Sequence, residues 1–226
     1  MAETISSSEN ALSAPFPWQG AQWTQLSRAF AVKQLAHAYL LSGSEGLGKS
    51  LFADSFARYV LCMKPIVQGA VGRLADTAVA CGSCNNCLKC GVGNHPDILT
   101  IEPEEGSKNI KIDQIRRLSE FVIRSSHSGG AKVVIIQEAH LLNANAANAL
   151  LKTLEEPNDN THVFLVSDHP GRLVATIRSR CQKLAFEVPG ADIAASWLQT
   201  IIGEGNINSI LEASDMRPLI ALQLAE

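Results

Sequence analysis

One stretch constrains this chain more than any other. An apolar run, Ala38-Tyr39-Leu40-Leu41, leads into Ser42-Gly43-Ser44-Glu45-Gly46-Leu47-Gly48-Lys49-Ser50, which fits G-x-x-x-x-G-K-S. After it, Leu51, Phe52, Ser55, Phe56 and Tyr59 recur at the spacing of one helix face. Strand, glycine-rich turn and helix in that order make a phosphate-binding loop. Gly43, Gly46 and Gly48 let the backbone turn its N–H groups inward. Lys49 is placed to reach β and γ phosphates, and the Ser50 hydroxyl to ligate Mg²⁺. An anion there sits at the positive end of the following helix. ATP with Mg²⁺ is therefore the expected ligand, with Gly43, Gly46, Gly48, Lys49 and Ser50 as binding residues.

The elements alternate over most of the chain. Phe16 to Lys33 carries a helical face through Trp18, Trp23, Leu26 and Phe30. His37 to Leu41 is a first strand, and the helix after the loop runs to about Cys62. Pro65 to Ala80 has no clear period and is expected to be a loop. Ile98 to Ile101 is a short strand, Ile112 to Arg124 a helix, and Lys132 to Ile136 a β-branched run suited to a parallel strand covered on both faces. Asn143 to Glu156 is a helix stopped by Pro157, Val163 to Val166 a strand, Leu173 to Ser179 a short helix, and Gln182 to Val188 a last strand. After Pro189 only helices follow, at Ala191 to Ile202, Ile207 to Ala213 and Arg217 to Ala225. The expectation is an α/β fold with a parallel five-stranded sheet, residues 16–188, followed by a small all-helical lid, residues 189–226.

The 226 residues suffice for that core. A net charge of −3 and a pI near 6.1 exclude a chain that binds nucleic acid by its overall electrostatics. No apolar run approaches membrane-spanning length. Residues 1–15 lack the basic and apolar regions of a signal peptide and are expected to be a frayed N-terminus, in a cytoplasmic protein.

A second nucleotide signal is defective. The strand at Lys132 to Ile136 ends in Gln137-Glu138. Glu138 is placed to polarise a water. Gln137 stands where a Mg²⁺-side aspartate is expected, and a neutral amide is a poorer partner for a hard dication. Binding and hydrolysis thus come apart, and ATP turnover by this chain is expected to be slow or absent.

Cysteine spacing points to a metal. Cys81-x-x-Cys84-x-x-Cys87-x-x-Cys90 has zinc-knuckle spacing, with Cys62 nearby in sequence. Five cysteines compete for the four places of a structural Zn²⁺ site, and Gly82, Asn85 and Asn86 favour its turns. An iron–sulfur run is not met, because Cys90 comes too early and no proline follows it.

Two strings complete the picture. Asn148-Ala149-Leu150-Leu151-Lys152-Thr153-Leu154-Glu155-Glu156-Pro157 and Ile177-Arg178-Ser179-Arg180-Cys181 strongly resemble bacterial clamp-loader subunits of the AAA+ class. The phosphate loop, the knuckle and His95-Pro96-Asp97 fall in that family's order. Phe16-Pro17-Trp18, His37-Ala38-Tyr39-Leu40 and Gly129-Gly130-Ala131-Lys132-Val133-Val134 look most like its delta-prime branch rather than its gamma/tau motors. The resemblance runs from about Phe16 to the end.

The resemblance implies a part in loading the sliding clamp onto primed DNA within the DNA polymerase III holoenzyme, a nucleotidyltransferase. It implies a hetero-oligomer with gamma/tau motor and delta subunits. Arg180 maps to the arginine that reaches into a neighbouring subunit's ATP site, where a permanently charged fork stabilises the γ-phosphate. Cys62, Cys81, Cys84 and Cys87 map to the zinc ligands, leaving Cys90 over. Arg217 maps to a cis γ-phosphate sensor, and Ser167 falls at the first sensor. The family continues into a helical collar, so a chain ending at Glu226 is expected to lack collar-dependent assembly. Two rivals remain: an autonomous AAA+ ATPase, against which Gln137 argues, and a zinc-dependent nucleic-acid module, against which the acidic pI argues.

Overall fold

The computed structural model describes residues 15–68, 77–203 and 205–225. The frayed terminus expected over 1–15 falls, but for Pro15, outside the described residues. A 3-10 turn at Pro17–Gln19 leads into α1, Gly20–Ala31, then β1, Ala38–Ser42, and α2, Lys49–Leu61. Next come β2, Ile66–Gln68, β3, Thr77–Val79, α3, Asn85–Gly91, and β4, Ile98–Ile101. After them follow α4, Ile112–Ile123, β5, Lys132–Ile136, α5, Ala144–Glu155, and β6, Thr161–Ser167. The chain continues through α6, Ala175–Arg178, and β7, Gln182–Ala185, to α7, Ala191–Ile202, α8, Ile207–Ala213, and α9, Pro218–Ala225.

Five strands form one sheet in the order β4-β5-β6-β1-β7, and every pairing in it is parallel. The two-residue period of a strand sends alternate side chains to opposite faces. Tyr39, Leu41, Val133, Ile135, Phe164 and Val166 therefore enter one core, against Trp23 of α1 and Phe52 and Phe56 of α2. Leu40, Val134, Ile136, Val163 and Leu165 enter the other, against Ile115 and Leu118 of α4, Leu150 and Leu154 of α5, and Ile177 of α6. β5 is buried along its whole length, as its unbroken β-branched run requires. In the order of strands, β1 is flanked by β6 and β7, both later in sequence, so its C-terminal end is where the chain changes direction across the sheet. Sheets of this kind bind ligands at such a switch point.

The stretch expected to be a loop, Pro65 to Ala80, instead contributes a short antiparallel pair, β2 with β3. Strands of three residues are too short to show a period, which is why the pattern was silent. Trp23 Nε1 donates to the Ala78 carbonyl at 3.0 Å and ties β3 to α1. At the N-terminal edge of the sheet, the fully buried Asp97 accepts from the His127 amide at 2.8 Å and the Ser128 amide at 2.9 Å. Those bonds outweigh burial and hold its carboxyl below the ordinary value of 3.8. The family string His95-Pro96-Asp97 thus anchors the turn between α4 and β5. Lys132 serves the same corner. Its ammonium donates to the Phe121 and Arg124 carbonyls at the end of α4, where the helix dipole favours a cation.

Candidate functional site

The loop after β1 bends through Gly46 and Gly48, whose φ values of 82° and 77° lie in the left-handed region. Space forbids side chains there as well. A Cβ on Gly48 would come within 2.5 Å of the Phe16 ring, and one on Gly46 within 2.5 Å of Ile220. Behind the loop, Gln19 Nε2 donates to the Leu47 and Gly48 carbonyls at 2.9 and 3.1 Å, and Trp18 Nε1 to Leu47 at 3.0 Å. The Phe16–Gln19 segment is therefore a clamp on the back of the loop. In front of it, the Leu219 amide of α9 donates to the Gly46 carbonyl at 3.1 Å, so the last helix lies across the loop.

Between loop and helix opens a cavity of about 280 Å³, lined by Gly46, Gly48, Lys49, Ser50, Glu138, Asp168 and Ile220 among others. Gly43 precedes it at the end of β1. Lys49 is 4% exposed, and its ammonium meets Asp168 Oδ1 at 2.5 Å and the Ser44 carbonyl at 2.6 Å. Ser50 Oγ donates to Gln137 Oε1 at 2.7 Å. Glu138 is exposed with φ 46°, a left-handed backbone that non-glycine residues rarely hold. Ser167 is fully buried and its hydroxyl lies 3.3 Å from His140 Nδ1. Burial and the neighbouring His169 hold the His140 imidazole below its ordinary value.

Arg217 is not brought into the cavity. Its guanidinium donates to the Ser214 carbonyl at 2.8 Å and lies 3.4 Å from Asp215. Arg180 also stands outside it. It follows α6, half-exposed, donating to the Thr176 carbonyl at 2.9 Å and pairing with Glu155 at 2.6 Å. Its neighbour Cys181 points inward, where burial pushes the thiol up to about 11.

The cysteines resolve into a group and a remainder. The sulfurs of Cys62, Cys81, Cys84 and Cys87 all lie within 4.8 Å of one another, a set that can hold a metal ion. A tetrahedral thiolate site with metal–sulfur bonds of about 2.3 Å puts its sulfurs roughly 3.8 Å apart, and Cys81 and Cys87 are separated by 3.9 Å. The amides of Ser83 and Cys84 pull the Cys81 thiol down to about 6. Asn86 Nδ2 donates to the Leu61 carbonyl at 2.9 Å and fastens α3 to the end of α2, which brings Cys62 to the others. Cys90 is buried in the core instead.

Sequence reasoning missed Asp168, the clamp through Trp18 and Gln19, and the contact of Ile220 with the loop. Asp168 had one signal, a carboxylate just past the strand that ends in Ser167. It becomes meaningful only because β6 pairs with β1.

Comparison with known proteins identifies the family. A family model described as DNA polymerase III, delta subunit, matches residues 18–189. The chain belongs to that family. It is 42% identical over 213 residues to the DNA polymerase III subunit delta' of Pseudomonas aeruginosa, covering 92% of this chain and 61% of that protein. To the Escherichia coli subunit delta' it is 35% identical over 211 residues, covering 92% and 60%. The chain thus spans about three fifths of the length of these relatives. Among solved structures, a gamma subunit-related protein of DNA polymerase III from Thermotoga maritima superposes with a TM-score of 0.53 at 22% identity, covering 89% of this chain and 57% of that one. That likeness shows the shared fold. No helix of the described residues is long and apolar enough to cross a membrane.

Proposed function

We propose that this family member acts as a delta-prime-type stator of the DNA polymerase III clamp loader. It assembles with gamma/tau motor and delta subunits, and through the complex it helps place the sliding clamp on primed DNA. Its contribution to chemistry is Arg180, offered in trans to a neighbour's ATP site. Residues 16–188 form the nucleotide-binding-type domain and 189–226 the helical lid. The observation that carries this reading is the position of Arg180, outside the cavity beside Lys49 and at the exposed end of α6. An arginine so placed has no phosphate of its own chain to touch.

The chain's own loop is read as a nucleotide site with little or no turnover. Gly46, Gly48, Lys49 and Ser50 suit a Mg²⁺-bound triphosphate, which would supply charge for the loop to neutralise. Gln137, bonded to Ser50, gives the metal side an amide in place of a carboxylate. Glu138, lining the cavity, is the observation that favours the rival, an autonomous ATPase. Steady ATP hydrolysis by the isolated chain would decide for that rival.

Zn²⁺ is the metal proposed for Cys62, Cys81, Cys84 and Cys87. Four thiolates leave no open coordination position, so the role is structural. The deciding experiment for the stator role is reconstitution of the complete complex with Arg180→Ala, which should lower stimulated ATPase and clamp loading while assembly is preserved.

A further inference from the structure

We propose that Asp168 is a built-in occupant of this chain's phosphate site: its carboxylate holds Lys49 where a ligand phosphate would sit, and so sets how weakly the loop takes nucleotide. The proposal rests on the reading of the loop as a nucleotide site. It adds what governs that site's affinity.

The Lys49 ammonium has three donors, and two are directed at Asp168 and the Ser44 carbonyl. With Lys49 only 4% exposed, any phosphate must approach from the cavity side, where Asp168 stands 27% exposed. Displacing the carboxylate means breaking a charge-assisted pair at 2.5 Å before a new one can form. The apparent affinity of a site falls by the fraction of time that it is open.

The charge of the cavity acts in the same direction. Of the described side chains that line it, Glu45, Glu138 and Asp168 are acidic and Lys49 alone is basic. Polyphosphate entering such a lining meets like charge, which costs binding energy directly. Arg217, which could redress the balance, spends its guanidinium on Ser214 and Asp215. The sheet explains why Asp168 can do this. β6 pairs in register with β1, Ser167 beside Ser42, so the residue after Ser167 emerges next to the start of the loop.

A competing role for Asp168 is that of the metal-side carboxylate which Gln137 fails to supply. The contacts argue otherwise. The hydroxyl that would share a metal, Ser50 Oγ, is bonded to Gln137, while Asp168 pairs with the ammonium.

The test is titration of the protein with a fluorescent N-methylanthraniloyl ATP, with and without Mg²⁺. Wild type is compared with Lys49→Ala, Asp168→Asn, Asp168→Ala and each Asp168 variant combined with Lys49→Ala. Asp168→Asn keeps size and hydrogen bonding, so loss of charge is separated from loss of packing. Circular dichroism checks that each variant is folded. Both single Asp168 variants are expected to bind about ten- to a hundredfold tighter, the range of a lost charged hydrogen bond, and Lys49→Ala is expected to erase the gain. Affinities equal to wild type, with wild-type binding still dependent on Lys49, overturn the proposal and leave the nucleotide site standing. Weaker binding that depends on Mg²⁺ overturns it in favour of a metal ligand. No binding by any folded variant removes the proposal and the nucleotide reading together.

Discussion

Ser50 Oγ donates to Gln137 Oε1 at 2.7 Å, so the hydroxyl that a phosphate loop reserves for a metal is bonded to a neutral amide. An amide oxygen is a weak ligand for a dication that prefers carboxylate and phosphate. Nucleotide affinity of the wild-type protein should therefore differ little between Mg²⁺ and chelator. Gln137→Asp should make Mg²⁺ tighten binding by several-fold, and Lys49→Ala should abolish binding in either background. Isothermal titration reads all three. A strong Mg²⁺ effect in the wild type would contradict the role given to Gln137.

The cysteine group predicts one zinc per chain, with Cys90 irrelevant to it. Cys87→Ser should lose the metal and lower the unfolding temperature, because a structural site lends its binding energy to folding. Cys90→Ser should retain the metal and cost only packing, since Cys90 sits in the core. Elemental analysis of chelator-washed protein measures the stoichiometry. Metal lost on removing Cys90 and kept on removing Cys62 would exchange their roles.

Asp97 makes the fold itself sensitive to acid. Its folded value lies below 3.8, chiefly because the His127 and Ser128 amides overcome the effect of burial. A depressed carboxylate contributes stability that is fully present above its ordinary value and is lost as pH falls through the folded one. Asp97→Asn should cost about 1–3 kcal/mol at neutral pH, the range for a buried charged hydrogen bond. The deficit should narrow as the wild type is taken below about pH 4. Urea unfolding at two pH values reads it, and an undiminished deficit in acid would show that shape, not charge, sets the cost.

Much of this was legible in the residues, and what was not has a physical reason. The run Val133 to Ile136 could only be a strand buried on both faces, and the loop glycines could only mark a tight turn. The order of strands was not legible, because it depends on which edges meet far apart in sequence. With it went Asp168, whose meaning comes from β6 lying beside β1. Phe16 and Trp18 were visible as a string, but their purpose, propping Gly48 and Leu47, arises only when the fold brings segments about thirty residues apart together. Arg217 shows the reverse: its place in the chain matched a sensor, while its side chain bonds within its own turn.

Arg180 separates a stator from an enzyme. Its guanidinium pairs with Glu155 at 2.6 Å, and both side chains are partly exposed, at 34% and 48%. A pair at the surface, partly open to water on both sides, contributes under about 1 kcal/mol, so Glu155→Ala should barely change stability. The same weakness lets the guanidinium leave for a phosphate, whose bidentate, doubly charged oxygens outcompete one exposed carboxylate. Arg180→Ala in the isolated protein should leave its own nucleotide affinity unchanged, because Arg180 lies outside that cavity. A finger in trans is worth about a thousandfold or more at its own site, and one site among several gives a smaller loss in a whole assembly. In the complete complex with motor subunits, clamp and primed DNA, Arg180→Ala should cut stimulated ATPase and clamp loading while assembly is preserved. Arg180→Lys should fail to rescue, since an ammonium keeps the charge but not the fork. Glu155→Ala should leave loading intact or raise it, by freeing the finger. Unchanged loading by an assembled Arg180→Ala complex would remove Arg180 from the mechanism, whatever the family of the chain that carries it.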